Sequence, residues 1–231
     1  MSLIGRSKLR GKHALFSPST VTWANYDDDK FIESFRNKYR TALGTEIHEW
    51  AAIQITLGQK YNSVRDIAKS IKTMIFEKNY SEEYGLSEYG QTLLNNFKYL
   101  PNSIYGTLKQ YVNDGVGNFM VPEEGEGVLD YSDYFFGTCD ALYFDENTKV
   151  LKIFDLKTGS HPAKIEQLYI YAALYCLRNK VDPFEIKFDL RIYQNEEIIF
   201  AEPDSKEIRT FVDKIIHFDR IARKMAKGGA L

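Results

Sequence analysis

Apolar and polar residues alternate most regularly between residues 137 and 159, and this pattern predicts a β-hairpin. Two largely apolar runs, Cys139–Phe144 and Lys149–Leu156, flank the polar segment Asp145–Thr148. That segment has the residue types of a turn, so we expect antiparallel pairing across a four-residue loop. We call residues 137–159 the acidic hairpin, because its two apolar runs carry the carboxylates Asp140 and Asp155.

With Phe144 opposite Lys149, the two-residue period of a strand places Asp140, Asp155 and Lys157 on one face. The two carboxylates are then diagonal neighbours with Cβ atoms about 7 Å apart. One interpretation is that they hold a divalent cation, for which such oxygen ligands favour Mg²⁺ or Mn²⁺. The other is that they are strand-end carboxylates facing water beside a surface lysine. Repulsion between like charges favours a cation between them, but the hairpin alone leaves both interpretations open.

A helix from about residue 41 to residue 59 is the second informative element. Its inward stripe consists mostly of small residues, namely Gly44, His48, Ala51, Ala52 and Ile55. Small residues let a helix approach a sheet closely, and His48 points from that stripe into whatever the helix covers. A lone histidine there is more often a hydrogen-bonded core residue than a ligand. Glu46 and Glu49 lie toward the other side, where we expect them to be solvated.

The remaining pattern predicts an α/β fold with a mixed central sheet. A short helix opens with a capping Ser17, and Asp27–Asp29 is expected to be a solvated loop. The other predicted elements are helices over 64–78 and 88–114, the latter broken at Pro101 and capped by Asn102 or Ser103, a short strand over 118–122, a segment 128–136 that leads into the acidic hairpin, a helix over 163–177, strands over 184–193 and 196–201, and a closing helix over 205–227.

Three polar residues share one stripe of the helix that follows the acidic hairpin. Gln167 follows Lys164 by three positions and Tyr171 follows Gln167 by four, and Tyr175 extends the stripe. Polar groups on an otherwise apolar helix need partners, which a phosphate or the edge of an active site would supply. An exposed side of the helix is an equally good explanation.

Composition narrows the class of protein only moderately. The chain has 231 residues, of which 44% are hydrophobic and 27% charged, as in an ordinary globular protein with one sizeable core. No apolar run has membrane-spanning length and no signal-peptide pattern opens the chain, so we expect a cytoplasmic protein without membrane contact. Two cysteines, Cys139 and Cys176, are too few for a four-thiolate site and are expected to be buried.

Two basic segments and one acidic loop have alternative explanations. Residues 1–12 form either a tail or an arm that contacts phosphate. The basic closing helix could contact a nucleic-acid backbone, although a solvated face is the commoner use of such charges. A carboxylate of the loop Glu123–Gly127 could approach the metal, but solubility explains that loop better. The net charge of −2 does not decide between these alternatives, since a nucleic-acid site needs only a local basic patch.

Four pieces stand in a fixed order along the chain: Gly44-x-x-x-His48, Gly137-x-x-Asp140, Asp155-Leu156-Lys157 and Gln167-x-x-x-Tyr171. Together they resemble the PD-(D/E)XK nuclease superfamily, specifically its RecB-like branch, which includes phage-type exonucleases. The resemblance runs from about His13, where HALFSPSTVTW is similar to the entry segment of phage-type members, to about Leu177.

The resemblance implies a site. Asp140 and Asp155 would be metal carboxylates, with His48 and the backbone carbonyl of Leu156 as further ligands for Mg²⁺ or Mn²⁺. Lys157 would be the catalytic lysine. Lys164, Gln167 and Tyr171 are the expected substrate-binding residues. Some related nucleases carry an iron–sulfur cluster on four cysteines, which this chain is expected to lack.

The resemblance also implies a fold and a function. We expect a single nuclease domain over residues 1–231: a restriction-endonuclease-like mixed sheet flanked by helices, with an added helical layer over 41–115 and the catalytic sheet and helix over 116–201. The expected activity is metal-dependent hydrolysis of DNA, as an exonuclease in phage or bacterial recombination or DNA processing, with a recombination or replication protein as a further candidate partner. A phage-encoded protein would act in the cytoplasm of its bacterial host. The alternative is a DNA-end binding module of the same fold that acts through a partner protein.

Overall fold

The computed structural model describes residues 18–122, 128–159 and 161–228. Its α-helices are α1 Asp28–Thr56, α2 Val64–Asn79, α3 Glu88–Asn96, α4 Ser103–Gly117, α5 Glu166–Asn179 and α6 Ser205–Ala226. Its strands are β1 Tyr80–Ser81, β2 Gly85–Leu86, β3 Val121–Pro122, β4 Leu129–Ser132, β5 Phe135–Gly137, β6 Ala141–Asp145, β7 Val150–Leu156, β8 Lys187–Gln194 and β9 Glu197–Ala201. The predictions for residues 1–12, for Ser17 and for Glu123–Gly127 lie outside the described residues.

Most predicted elements are confirmed, with ends shifted by a few residues. Helices α2 and α6 begin at the predicted residues, and the break at Pro101 separates α3 from α4. Asn102 occupies the predicted cap position of α4, but its side chain makes no capping hydrogen bond. The start of α6 is held by a capping box, in which Asp204 and Glu207 each bond the other's backbone N–H.

The predicted loop at Asp27–Asp29 is wrong. Helix α1 begins at Asp28 and runs without a break through the 41–56 region. Asp27 acts as its cap, since its Oδ1 accepts a hydrogen bond from the backbone N–H of Lys30 at 2.8 Å. Carboxylates also interact favourably with the positive end of the helix dipole, so an acidic cluster can begin a helix as well as interrupt one.

The mixed sheet predicted from the sequence is confirmed in its coarse form. Five strands lie in the order β3-β6-β7-β8-β9, open at both edges. The pairs β3–β6, β6–β7 and β8–β9 are antiparallel, whereas β7–β8 is parallel. Parallel neighbours require a crossover, and α5 supplies it between β7 and β8. The segment 128–137 forms a separate two-stranded sheet of β4 and β5.

The two faces of the sheet contact different helices. Leu151, Ile153, Leu190 and Ile192 join the apolar cluster that contains the buried residues of α5 and α6. The intervening residues of β8 point the other way, where Tyr193 packs edge-on against Tyr111 of α4 at 5.3 Å between ring centroids. Helices α5 and α4 therefore cover opposite faces, and the face with Ile153 is the one that Asp155 and Lys157 continue.

The acidic hairpin forms, but with a different register from the predicted one. Phe144 lies opposite Leu151 rather than Lys149, and Asp145 pairs with Val150. The four-residue loop is therefore displaced by one position. Asp145 explains this, because its Oδ1 accepts hydrogen bonds from the backbone N–H groups of Asn147 at 2.9 Å and Thr148 at 3.3 Å, and so fixes the turn.

The described chain divides into two compact units. One contains the described residues up to Thr45 together with Ile75–Leu100, and consists mainly of helix with the short β1–β2 pair. The other contains Glu46–Met74 and the described residues from Pro101 onward, including the five-stranded sheet. Every candidate site residue except Gly44 belongs to this second unit. Among the described residues, no helix combines the length and the apolar character needed to cross a bilayer.

Candidate active site

The predicted metal and catalytic residues come together at one end of the acidic hairpin. Asp140 immediately precedes β6, Asp155 lies near the end of β7, and Lys157 follows β7 directly. His48 arrives from α1, and its Nδ1 lies 3.2 Å from Asp140 Oδ1. Continuing the β6–β7 register by one step places Asp140 opposite Asp155, instead of diagonal to it as predicted.

Both oxygens of Asp140 are engaged. Oδ2 accepts a hydrogen bond from the backbone N–H of Leu156 at 2.7 Å, and Oδ1 faces His48. The hydrogen bond from Leu156 links the start of β6 to the end of β7, so it fixes the orientation of the Asp140 carboxylate. The side chain of Asp140 is 27% exposed, so the carboxylate stays accessible.

Asp155 is the most perturbed acid of the site. Its side chain is only 4% exposed, and burial together with the charge of Asp140 raises its pKa to about 6, although Lys157 counteracts the shift. The Lys157 ammonium donates to Oδ1 at 3.1 Å. It also forms an ion pair with Oδ2 at 2.9 Å, although the described residues make no hydrogen bond to that oxygen. The Lys157 ammonium therefore compensates part of the cost of burying the Asp155 carboxylate, but burial and the charge of Asp140 outweigh it.

His48 is partly exposed, and its protonation is coupled to the acids. Burial works to lower the pKa of His48, but the hydrogen bond that its ring N–H donates to Asp140 and the charges of Asp140 and Asp155 outweigh it and raise that pKa. Two donor atoms that bind one metal at about 2.1–2.2 Å in neighbouring positions lie about 3 Å apart. The separation of 3.2 Å between His48 Nδ1 and Asp140 Oδ1 suits such a pair as well as it suits a direct hydrogen bond.

On helix α1, which carries His48, the exposure of one carboxylate differs from the prediction. Glu46 is 6% exposed, so the predicted solvated position is wrong for this residue, whereas Glu49 is exposed as expected. Of the predicted inward stripe, Gly44, Ala51 and Ile55 are buried. When other elements pack against a helix on more than one side, residues outside its apolar stripe are buried as well. The sequence pattern alone does not show this.

Gln167 and Tyr171, two residues of the predicted polar stripe, lie on α5. Gln167 donates from Nε2 to the Tyr171 hydroxyl at 3.2 Å. Burial raises the pKa of Tyr171, and the charges of Asp155 and Lys157 also act on it, so the ring lies near the acids. Gly137 explains how the ring fits, since a Cβ at this position would lie 2.9 Å from Tyr171 Cε1. Lys164 precedes the helix and is exposed.

A divalent cation requires several donor atoms around one point. Among the described residues, no three side chains of His, Cys, Asp and Glu form a complete metal-binding group as they stand. Asp140 and His48 pair with each other, and Asp155 pairs with Lys157. The residues nevertheless fit a cation by their chemistry, because an imidazole and two carboxylates that repel each other meet at one end of the hairpin.

Two residues near the site were not singled out by the sequence. Tyr111 of α4 is fully buried, and its pKa is raised by burial and then by the charges of Asp140 and Asp155. Gln194, at the end of β8, is 5% exposed and bonds the loop after Lys157. Neither residue belongs to a local pattern, and only the pairing of β7 with β8 brings Gln194 to this place.

The comparisons with known proteins add no assignment: the chain matches no protein-family model, no curated protein and no solved structure.

Proposed function

We propose that this chain is a metal-dependent deoxyribonuclease that hydrolyses DNA phosphodiester bonds, as an exonuclease of the PD-(D/E)XK type with a restriction-endonuclease-like sheet. The observation that carries the proposal is the meeting of Asp140, Asp155, Lys157 and His48 at one end of the acidic hairpin. These residues come from separate parts of the chain, and two of them are carboxylates that repel each other. A module that only binds DNA gains nothing from a paired acid beside the phosphates.

Each residue has a distinct task in this proposal. Asp140, Asp155 and His48 would hold Mg²⁺ or Mn²⁺, with the carbonyl of Leu156 as a further oxygen ligand. The cation, when bound, makes a water molecule more acidic and polarises the scissile phosphate. Asp155 then needs to lose its proton, which its raised pKa of about 6 allows at neutral pH.

Lys157 is the residue assigned to the transition state. Its side chain is 29% exposed, so the ammonium can contact a phosphate while its pairing with Asp155 fixes its position. Attack of water on phosphorus breaks the bond to the 3′-oxygen and leaves a 5′-phosphate and a 3′-hydroxyl. A positioned ammonium stabilises the negative charge that builds on the phosphoryl oxygens during this step.

Substrate contacts are assigned to the start of α5. Gln167 and Tyr171 are joined by a hydrogen bond and stand beside the acids, whereas Lys164 is exposed and supplies a positive charge for the DNA backbone. In this proposal, Gln167 and Tyr171 supply neutral donors for the reacting phosphate and Lys164 supplies a positive charge.

The proposal is tested by incubating end-labelled linear DNA and covalently closed circular DNA with Mg²⁺ or Mn²⁺, with and without a chelator. We expect linear DNA to be degraded, the circle to be spared, and the chelator to stop the reaction. Binding of DNA without cleavage under any metal would instead favour the DNA-end binding module. Cleavage of the circle would retain the nuclease but replace the exonuclease with an endonuclease.

Two lysine variants make the test specific to the site. Lys157→Ala should abolish cleavage, because it removes the group that stabilises the transition state. Lys187→Ala is the matched control, since Lys187 is an exposed lysine at the first position of the adjacent strand β8. Near-normal turnover by Lys157→Ala would refute the catalytic assignment of the acidic hairpin.

A further inference from the structure

The loop between β7 and α5 is held by one side chain. Gln194 Nε2 donates to the carbonyl oxygens of Gly159 at 2.7 Å and His161 at 2.8 Å, while Gln194 Oε1 accepts from the backbone N–H of Ala163 at 3.0 Å. The two carbonyl acceptors and the N–H donor fix the orientation of the amide, because exchanging its oxygen and nitrogen would break all three bonds. Gln194 is 5% exposed, so these bonds are shielded from water.

These bonds restrain the described part of that loop. Lys157 N donates to the Tyr193 carbonyl at 2.9 Å, which extends the β7–β8 pairing by one step, and the first turn of α5 starts its own bonds at Gln167. For the described residues between Lys157 and Lys164, the hydrogen bonds found are those with Gln194.

The strand end that carries Gln194 is itself rigidly placed. The next two residues, Asn195 and Glu196, have left-handed φ angles of 51° and 64° and form the tight turn to β9. Glu196 N donates to Thr107 Oγ1 at 2.7 Å, and Gln110 Nε2 donates to the Glu196 carbonyl at 3.2 Å, so helix α4 holds this turn. Gln194 therefore links a fixed turn to the loop rather than moving with the loop.

We infer that Gln194 is a positioning residue, which fixes the loop so that Lys157 and the Gln167–Tyr171 pair keep their places around the reacting phosphate. The inference rests on the proposed nuclease function. The loop joins the residue assigned to the transition state to the helix that carries the assigned DNA contacts, and both ends must be held for the substrate to be aligned. Small displacements of such groups reduce turnover strongly, whereas the cation ligands on the acidic hairpin and α1 are untouched.

Gln194→Leu removes the three hydrogen bonds at nearly constant volume. We expect kcat to fall by about 10- to 100-fold with metal affinity unchanged, because the aligned geometry is lost and the ligand set is kept. Gln194→Glu should be impaired at least as much, since a carboxylate would face the carbonyl oxygens of Gly159 and His161. Gln54→Leu is the matched control: Gln54 is 8% exposed and accepts a hydrogen bond from the Tyr61 hydroxyl at 2.7 Å, away from the loop.

A second measurement does not depend on activity. Trypsin cleaves after lysine, and Lys157 and Lys164 flank the loop, so native-state proteolysis reports directly whether the loop is held. Gln194→Leu should be cut at these two lysines faster than wild type, whereas Gln54→Leu should not, under conditions where circular dichroism shows both to be folded.

The outcomes separate this inference from the proposed function. Faster cutting at both lysines together with a fall in kcat supports the positioning role. Wild-type kcat in a folded Gln194→Leu protein, or an unchanged cutting rate, overturns it. An equal fall in kcat for Gln54→Leu also overturns it, because a general loss of packing would then explain both. A wild-type protein that cleaves no DNA refutes the nuclease function itself, and the catalytic part of the inference with it.

Discussion

Replacing Asp155 with asparagine should stabilise the metal-free protein. The pKa of this carboxyl rises from 3.8 to about 6, with burial as the first cause and the charge of Asp140 as the second. A rise of the pKa from 3.8 to about 6 corresponds to about 3 kcal/mol of differential free energy between the charged and neutral forms. Because the folded-state pKa is the higher one, ionisation destabilises the folded state.

The sign of this effect sets its pH window. Below pH 3.8, Asp155 is protonated in the folded and in the unfolded state, so it does not destabilise the protein. The loss of stability then grows as the pH rises to about 6 and is complete above that value. At pH 7.5 we expect Asp155→Asn to gain about 1–3 kcal/mol in the free energy of unfolding. The lower figure allows for the lost hydrogen bond from Lys157.

Urea unfolding followed by circular dichroism measures this gain, in a chelator at pH 7.5 and at pH 4. The variant should lose its advantage at the lower pH. Added Mg²⁺ or Mn²⁺ should stabilise wild type more than the variant, since the variant has lost one of the two charged ligands. The control is Asp145→Asn on the same hairpin. The pKa of this partly exposed carboxyl is lowered by its hydrogen bonds to the turn, so its replacement should give no gain. Lower stability of Asp155→Asn than of wild type in chelator at pH 7.5 would refute the reasoning.

Three further variants test the rest of the site. His48→Ala should weaken Mn²⁺ binding more than Mg²⁺ binding, measured by calorimetry, because imidazole is a poorer ligand for Mg²⁺; a structural histidine would lower the melting temperature and leave the metal preference unchanged. Lys157→Ala should retain metal and DNA affinity in filter-binding assays while losing cleavage, and equal loss of both would contradict its assignment. Gly137→Ala should destabilise the protein by about 1–3 kcal/mol and slow cleavage, because the new Cβ lies 2.9 Å from the Tyr171 ring. Gly159→Ala, with nothing within 4 Å of the added Cβ, should match wild type in both assays.

The hairpin shows what the sequence can and does not predict. Alternation along the strands predicts that Asp140, Asp155 and Lys157 share a face. The observed register differs from the predicted one by two residues, with Phe144 opposite Leu151 instead of Lys149. Because the side chains of a strand alternate with a period of two residues, this difference leaves the three side chains on the same face. The register itself depends on how Asp145 bonds the turn. Several turn positions in the segment have suitable residues, so the pattern alone does not choose among them.

Long-range placement is the part that local patterns leave open. The stripe on α1 predicts an inward-facing His48, but its contact with Asp140 spans 92 residues and depends on how α1 meets the sheet. The role of Gln194 is still less visible, because a glutamine at the end of a strand has the composition of an ordinary turn. Asp28 shows a third limit, since an acidic run suits both a solvated loop and the first turn of a helix.

The separation of the acidic hairpin from His48 along the chain has a consequence for the order of assembly. Asp140 bonds Leu156 only 16 residues away, whereas its partner His48 is 92 residues away. Closing the longer loop costs about 1.5 kcal/mol more in chain entropy, so the hairpin is expected to form before α1 docks. In a refolding chain the two carboxylates are then neighbours before the imidazole arrives, and a divalent cation present at that stage would meet an all-oxygen site first.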